Sequence, residues 1–146
     1  MKLYIGSDHA GFSLKEELRA YLSKKYEIID CGTYGPESVD YPDYAKAVCE
    51  NLLKESDAMG ILVCYTGIGM SMTANKFKGI RAGLVGKVED AILTREHNNA
   101  NVLCLSAKNT PAEEAKEIVD AFLSSTFLGG RHERRVNKIT AVENEN

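Results

Sequence analysis

Along the chain, short and nearly unbroken apolar runs alternate with longer segments in which apolar residues recur every three or four positions. The runs fall at residues 3–7, 26–31, 58–64, 80–85 and 101–106. Runs of this length without strict apolar/polar alternation predict strands covered on both faces. Between them, Leu14, Leu18, Tyr21 and Leu22 form one face of a helix starting at Ser13, and Tyr44, Val48 and Leu52 one face of a helix over 43–54. A third helix opens after Gly67 and a fourth covers 88–96. Thr110-Pro111-Ala112-Glu113 has the form of a capping box with proline at the first helical position, and its helix buries Ala115, Ile118, Val119, Phe122 and Leu123. Gly129-Gly130 ends that segment, and a last helix covers 133–142.

Strands and helices in strict alternation predict an α/β protein of one domain spanning residues 1–146: a Rossmann-like three-layer αβα sandwich around a five-stranded parallel sheet, with an extra C-terminal helix. That helix has no strand after it, so it packs on the domain or reaches to a second subunit. Residues 32–42 hold two glycines and two prolines with Asp40 and Tyr41, a loop long enough to overhang a site.

Composition narrows the partners. A net charge of −3 argues against general binding to nucleic acid or to an acidic membrane, so any anion must be met by a local cluster. The first residues run straight into a strand without the apolar stretch of a signal peptide, and no segment has membrane-spanning length, which places the protein in the cytoplasm as an expectation. Cys31, Cys49, Cys64 and Cys104 lack C-x-x-C or zinc-like spacing and are expected as free thiols with no metal site.

The candidate chemistry centres on the stretch from Gly60 to Asn75, a strand, a glycine turn and a helix start. In such a sheet, Cys64 and the turn's N–H groups come to the carboxyl edge, where α/β folds bind ligands. A helix N-terminus favours an anion or a thiolate. A buried packing cysteine is the competing reading of Cys64. Asp8 and His9 follow the first strand, Thr66 follows the third, and His97 and Asn98 precede the fifth, so these polar residues are expected to converge. Arg131, Arg134 and Arg135 form the dense basic cluster of an acidic chain, with Arg131 and Arg135 on one helical face; a solvated surface and a phosphate clamp both fit. A cysteine-based phosphatase loop would need arginine where Met70 stands. No Gly-Lys-Ser/Thr closes a Walker loop, and the third glycine of a dinucleotide fingerprint is replaced by Met72.

Several motifs occur together and in order: Gly6-Ser7-Asp8-His9-Ala10-Gly11-Phe12, Cys64-Tyr65-Thr66-Gly67-Ile68-Gly69-Met70-Ser71, Ala74-Asn75-Lys76, Gly79-Ile80-Arg81-Ala82, His97-Asn98-Asn99-Ala100-Asn101-Val102-Leu103 and Gly129-Gly130-Arg131-His132. On these the chain resembles, over nearly its full length, the B-type ribose-5-phosphate isomerases, a family that also holds galactose-6-phosphate and allose-6-phosphate isomerases. The resemblance implies an aldose–ketose isomerisation through an enediolate, with no metal or organic cofactor. It puts the base at Cys64 and the ring-opening acid/base at His97; Thr66, two residues after the thiol, is placed to add a hydroxyl contact to the thiol or the substrate. The resemblance puts substrate contacts at Asp8, His9 and Asn98, the oxyanion loop at Tyr65, Gly67, Ile68 and Gly69, and phosphate contacts at Arg131 and Arg135. It also implies a homodimer or tetramer whose sites are built from two chains. Two positions depart from the family pattern: Tyr65 stands where a small residue is common, and Lys108 where pentose-type members often have arginine. Both bear on sugar choice, leaving a hexose 6-phosphate as the alternative substrate. A non-catalytic phosphosugar-binding module would need neither Cys64 nor His97, and a nucleotide binder is the more distant rival.

Overall fold

Each apolar run becomes a strand. The computed structural model describes all 146 residues. The elements in chain order are β1 (Lys2–Ser7), α1 (Phe12–Leu22), β2 (Glu27–Asp30), α2 (Tyr41–Leu52), β3 (Met59–Cys64), α3 (Ile68–Ala74), β4 (Ala82–Leu84), α4 (Val88–Glu96), β5 (Val102–Ser106), α5 (Ala112–Ser124) and α6 (Arg131–Asn144). The five strands form one parallel sheet in the order β2-β1-β3-β5-β4.

The two-fold period of a strand explains why the central runs are apolar throughout. Leu3, Ile5, Ile61, Val63, Leu103 and Leu105 point to one face, where they pack with Leu14, Leu18 and Leu22 of α1, Ala91 of α4 and Ile118, Val119 and Phe122 of α5. Tyr4, Leu62, Cys64, Val102 and Cys104 point to the other, against Ala45, Val48 and Leu52 of α2 and Met70 and Ala74 of α3. Each fully buried side chain of this size contributes roughly 1.5–3 kcal/mol, so the three layers follow from a sheet that has two apolar faces to cover.

Three local expectations shift. Helix α2 begins at Tyr41, with Pro42 in its first turn, where a missing N–H costs nothing. Strand β4 is only three residues long: it is an edge strand, and the Ile80 N–H is taken by Phe77 O in the turn before it. The capping box at Thr110 does not form. Pro111 occupies the cap with no side-chain hydrogen bond, and Thr110 is drawn inward, its N–H donating to Ser106 O at 3.0 Å.

Helix α6 is the least embedded helix for its length, burying only His132 and Val136 of its 14 residues. Its start lies against the end of α4, where the His132 and His97 rings stack at 4.1 Å between centroids. Near its other end, the Glu143 carboxylate accepts from the Gly79 N–H at 3.2 Å. Both attachments precede strands, so α6 lies along the amino edge of the sheet.

Candidate active site

The sheet order reverses at β1, whose neighbours are β2 and β3, and the crevice beyond the carboxyl ends of β1 and β3 is where ligands bind in such sheets. The turn after β1 is pressed into it. Asp8 N–H donates to Val63 O at 3.3 Å, the buried Asp8 carboxylate accepts from Gly11 N–H at 3.0 Å, and a Cβ at Gly11 would lie 2.4 Å from Val63 O. Only glycine allows that approach.

After β3 the chain turns through Gly67, which has φ +79° and caps α3. A left-handed backbone suits glycine, and here a Cβ would also meet Leu84 Cδ1 at 2.5 Å. The turn aims the first N–H groups of α3, which have no acceptor within the helix, toward the end of β3. One of them, on Ile68, donates to Thr66 Oγ1 at 3.2 Å. That leaves the Thr66 hydroxyl proton free to donate elsewhere.

Asp8, Cys64, Tyr65, Thr66, Ile68 and Gly69 together line a cleft of about 380 Å³, closed by Tyr41 and Met72. Cys64 is 4% exposed. The other thiols are no candidates for a base near neutral pH: burial pushes Cys49 up to about 12 and also raises Cys104 and Cys31. No cluster of three His, Cys, Asp or Glu side chains is arranged to hold a metal.

Two further residues stand at this edge. His9 Nδ1 accepts from the Val39 N–H at 3.2 Å, which ties it to the loop between β2 and α2 and puts any proton of the neutral ring on Nε2. Lys108, just beyond β5, donates its N–H to Tyr65 O at 2.8 Å, with its Nζ 5.7 Å from the Tyr65 ring centroid.

The remaining expected site residues lie elsewhere, and the convergence read from the sequence is corrected within one chain. Gly60 pairs with Val102 and Cys64 with Ser106, so the polar segment before Val102 sits at the amino edge. The four residue steps from Gly60 to Cys64 separate the edges by about 13 Å at ~3.3 Å per residue. The reason is direction: α4 runs back against the parallel strands, so His97, which caps its C-terminus, returns to where the strands begin. Asn98 is exposed there and lines a separate cavity of about 570 Å³ beneath α6. Arg131, Arg134 and Arg135 are exposed on α6 at the same edge.

Three features were missed from the sequence. Tyr41, expected in an overhanging loop, instead packs its ring on the glycine turn, where a Cβ at Gly69 would meet Tyr41 Cε1 at 2.5 Å. The Asp-Tyr-Pro triplet at a helix start was the available signal. Lys15 is fully buried and donates to Asp30 Oδ1 at 2.7 Å, while the same oxygen accepts from Gly32 N–H at 2.9 Å, anchoring the loop that carries Val39. A lysine on an exposed-looking turn of α1 gives no such hint. His132 was only part of a motif; burial lowers its pKa, and His97, Arg131 and Arg135 add to the shift.

Comparison with known proteins gives the family and the fold. Residues 3–139 match the model of the ribose/galactose isomerase family. The chain belongs to that family. Ribose-5-phosphate isomerase B of Escherichia coli K12 is 46% identical over 143 residues, covering 97% of this chain and 96% of its own. Among solved structures, a ribose 5-phosphate isomerase from Thermotoga maritima superposes with a TM-score of 0.93 at 53% identity, covering 96% of this chain and 97% of that one. The Mycoplasma genitalium ribose-5-phosphate isomerase B, solved with bound ribulose-5-phosphate, gives 0.94 at 44% identity, covering 99% and 97%. The parallel sheet and its helices are therefore the family's fold, and no helix of the chain is long and apolar enough to cross a membrane.

Proposed function

We propose that the chain is a cytoplasmic, cofactor-independent isomerase that interconverts ribose 5-phosphate and ribulose 5-phosphate through an enediolate. The observation that carries this reading is the buried thiol of Cys64 at the end of β3, directly beside the Gly67 turn and the N-terminus of α3. Removing a proton beside a carbonyl leaves negative charge on oxygen, and that charge needs fixed donors next to the base. Cys64 as thiolate takes the proton from C2. The turn from Tyr65 to Gly69 holds the oxygen on which charge develops. The same thiol returns the proton to C1 as a hydroxyl proton passes between the two oxygens, and the Thr66 hydroxyl assists. Asp8 and His9 hold the sugar hydroxyls, and Lys108 adds a cation at the same edge.

A cyclic sugar must open before it can enolise. That step needs a group that can both give and take a proton, and His97 fills it. Since His97, Asn98, Arg131 and Arg135 stand at the opposite edge from Cys64, they serve the cleft of a second copy. The working unit is a homodimer, or a dimer of dimers, with each site shared. The arginines grip the phosphate, which does no chemistry but orients the reacting carbons. The relatives named for this reaction support the pentose reading.

Relative kcat/KM on ribose 5-phosphate, allose 6-phosphate and galactose 6-phosphate tests it. The pentose is expected to lead. A hexose phosphate turned over faster would overturn the substrate, and no turnover of any of the three would overturn the activity.

A further inference from the structure

The loop from His97 to Asn101 is held in an unusual way. Within a few residues it reverses the chain from α4 into β5, with Asn99 left-handed at φ 50°. Two arginines converge on it. Arg95, 8% exposed in the last turn of α4, donates from one terminal nitrogen to Ala100 O at 2.6 Å and to Asn99 Oδ1 at 3.1 Å. Arg81, half-buried just before β4, donates from Nε to Asn99 O at 2.7 Å. Asn101 completes the attachment, accepting from Arg81 N–H at 2.8 Å and donating to Gly79 O at 2.9 Å. The Arg95 guanidinium also lies 5.8 Å from the Phe122 ring centroid, which ties the loop to the main core.

Neither guanidinium makes a salt bridge, and Arg95 Nε is buried without a partner. Burial works against both charges; Glu143 partly offsets this for Arg81, while Arg81 adds to it for Arg95. For Arg95, a buried charge without a counter-ion is poor value for stability alone, since an apolar side chain of similar volume fills such space without the desolvation cost. What the charges supply is a set of charge-assisted bonds to the backbone and side chain of one loop. The outward residues of that loop are His97, stacked on His132, and Asn98.

We infer that Arg81 and Arg95 are positioning residues: two guanidinium clamps that fix the 97–101 loop and so aim the His97 side chain at the sugar. This rests on the role given to His97 above. Misplacing a reacting group by about an ångström costs up to ~10²-fold in rate, so the clamp acts on turnover more than on binding.

The test is kinetic and spectroscopic. Arg95→Met and Arg81→Met are expected to lower kcat on ribose 5-phosphate by about tenfold to a hundredfold with KM nearly unchanged. The nuclear Overhauser contact between the His97 and His132 rings is expected to be lost. In a His97→Ala background, Arg95→Met is expected to lower kcat no further. Unchanged kcat with the ring contact intact would overturn the proposal, and so would an equal fold-loss in the His97→Ala background. If the methionine variants do not fold, Arg95→Lys and Arg81→Lys keep the charge, lose the fork and carry the same readouts. Full activity of His97→Ala would remove the ring-opening role itself; the clamp then stands or falls on the ring contact alone.

Discussion

Joining one lesion from each edge of the sheet in a single dimer tests the shared site directly. Cys64→Ala removes the proposed base and His97→Ala the proposed ring-opening group. Each lesion alone is expected to lower turnover by about 10²–10⁴-fold, the usual contribution of a positioned acid or base. Within one chain the two residues lie at opposite ends of the β3–β5 ladder, about 13 Å of strand apart by the ~3.3 Å rise, with the buried core between them. Two chains carrying different tags, one with each lesion, are coexpressed and the mixed dimer is isolated by sequential affinity steps. A two-fold axis makes its sites unequal: one combines Cys64 of one chain with His97 of the other and is intact, and the second carries both lesions. The mixed dimer is therefore expected to show about half the wild-type kcat, far above either parent. If Cys64 and His97 served the same site within one chain, every site of the mixed dimer would carry one lesion, and activity would stay at the parental level. That result would refute the shared site.

The remaining predictions concern stability. Gly67→Ala places a Cβ 2.5 Å from Leu84 Cδ1 and 3.0 Å from Leu105 O at φ +79°, so a loss of about 1–3 kcal/mol is expected, read as a Tm lower by ~2–4 °C per kcal/mol. Gly86→Ala, with nothing within 4 Å of its Cβ, is the control, and equal Tm values for the two would contradict the packing argument. His132 has a pKa below its ordinary 6.5, chiefly through burial, so the unfolded chain binds its proton more readily than the folded one. Its contribution is complete above that ordinary value and is lost as pH falls through it toward the lower folded value. Melting between about pH 7.5 and 5.5 should therefore show less acid destabilisation in His132→Asn than in the wild type, and an identical pH slope would remove His132 from the account.

Much of the architecture was legible because its determinants are local. Strands covered on both faces must read as unbroken apolar runs, and helices must carry apolar stripes, so five strands and their helices could be read from the chain. The end of a strand followed by a glycine turn also specifies its own edge, which is why Cys64, Thr66 and Gly69 share one cleft with Asp8. Errors arose where another element intervened. Thr110 met the turn after β5 instead of capping α5, and β4 shortened because an edge strand has one neighbour.

Only the tertiary structure decided the rest. That β5 inserts between β3 and β4 depends on which apolar edges meet, a long-range choice that no window of sequence contains. The roles of Lys15 and Arg81 depend on a carboxylate and a carbonyl brought from other segments, that of Arg95 on how the chain folds back after α4, and the sequence marks these residues only as charged. His97 is the clearest case. The chain names the residue, but its edge follows from α4 running against the strands, which parts it from the Cys64 of its own chain.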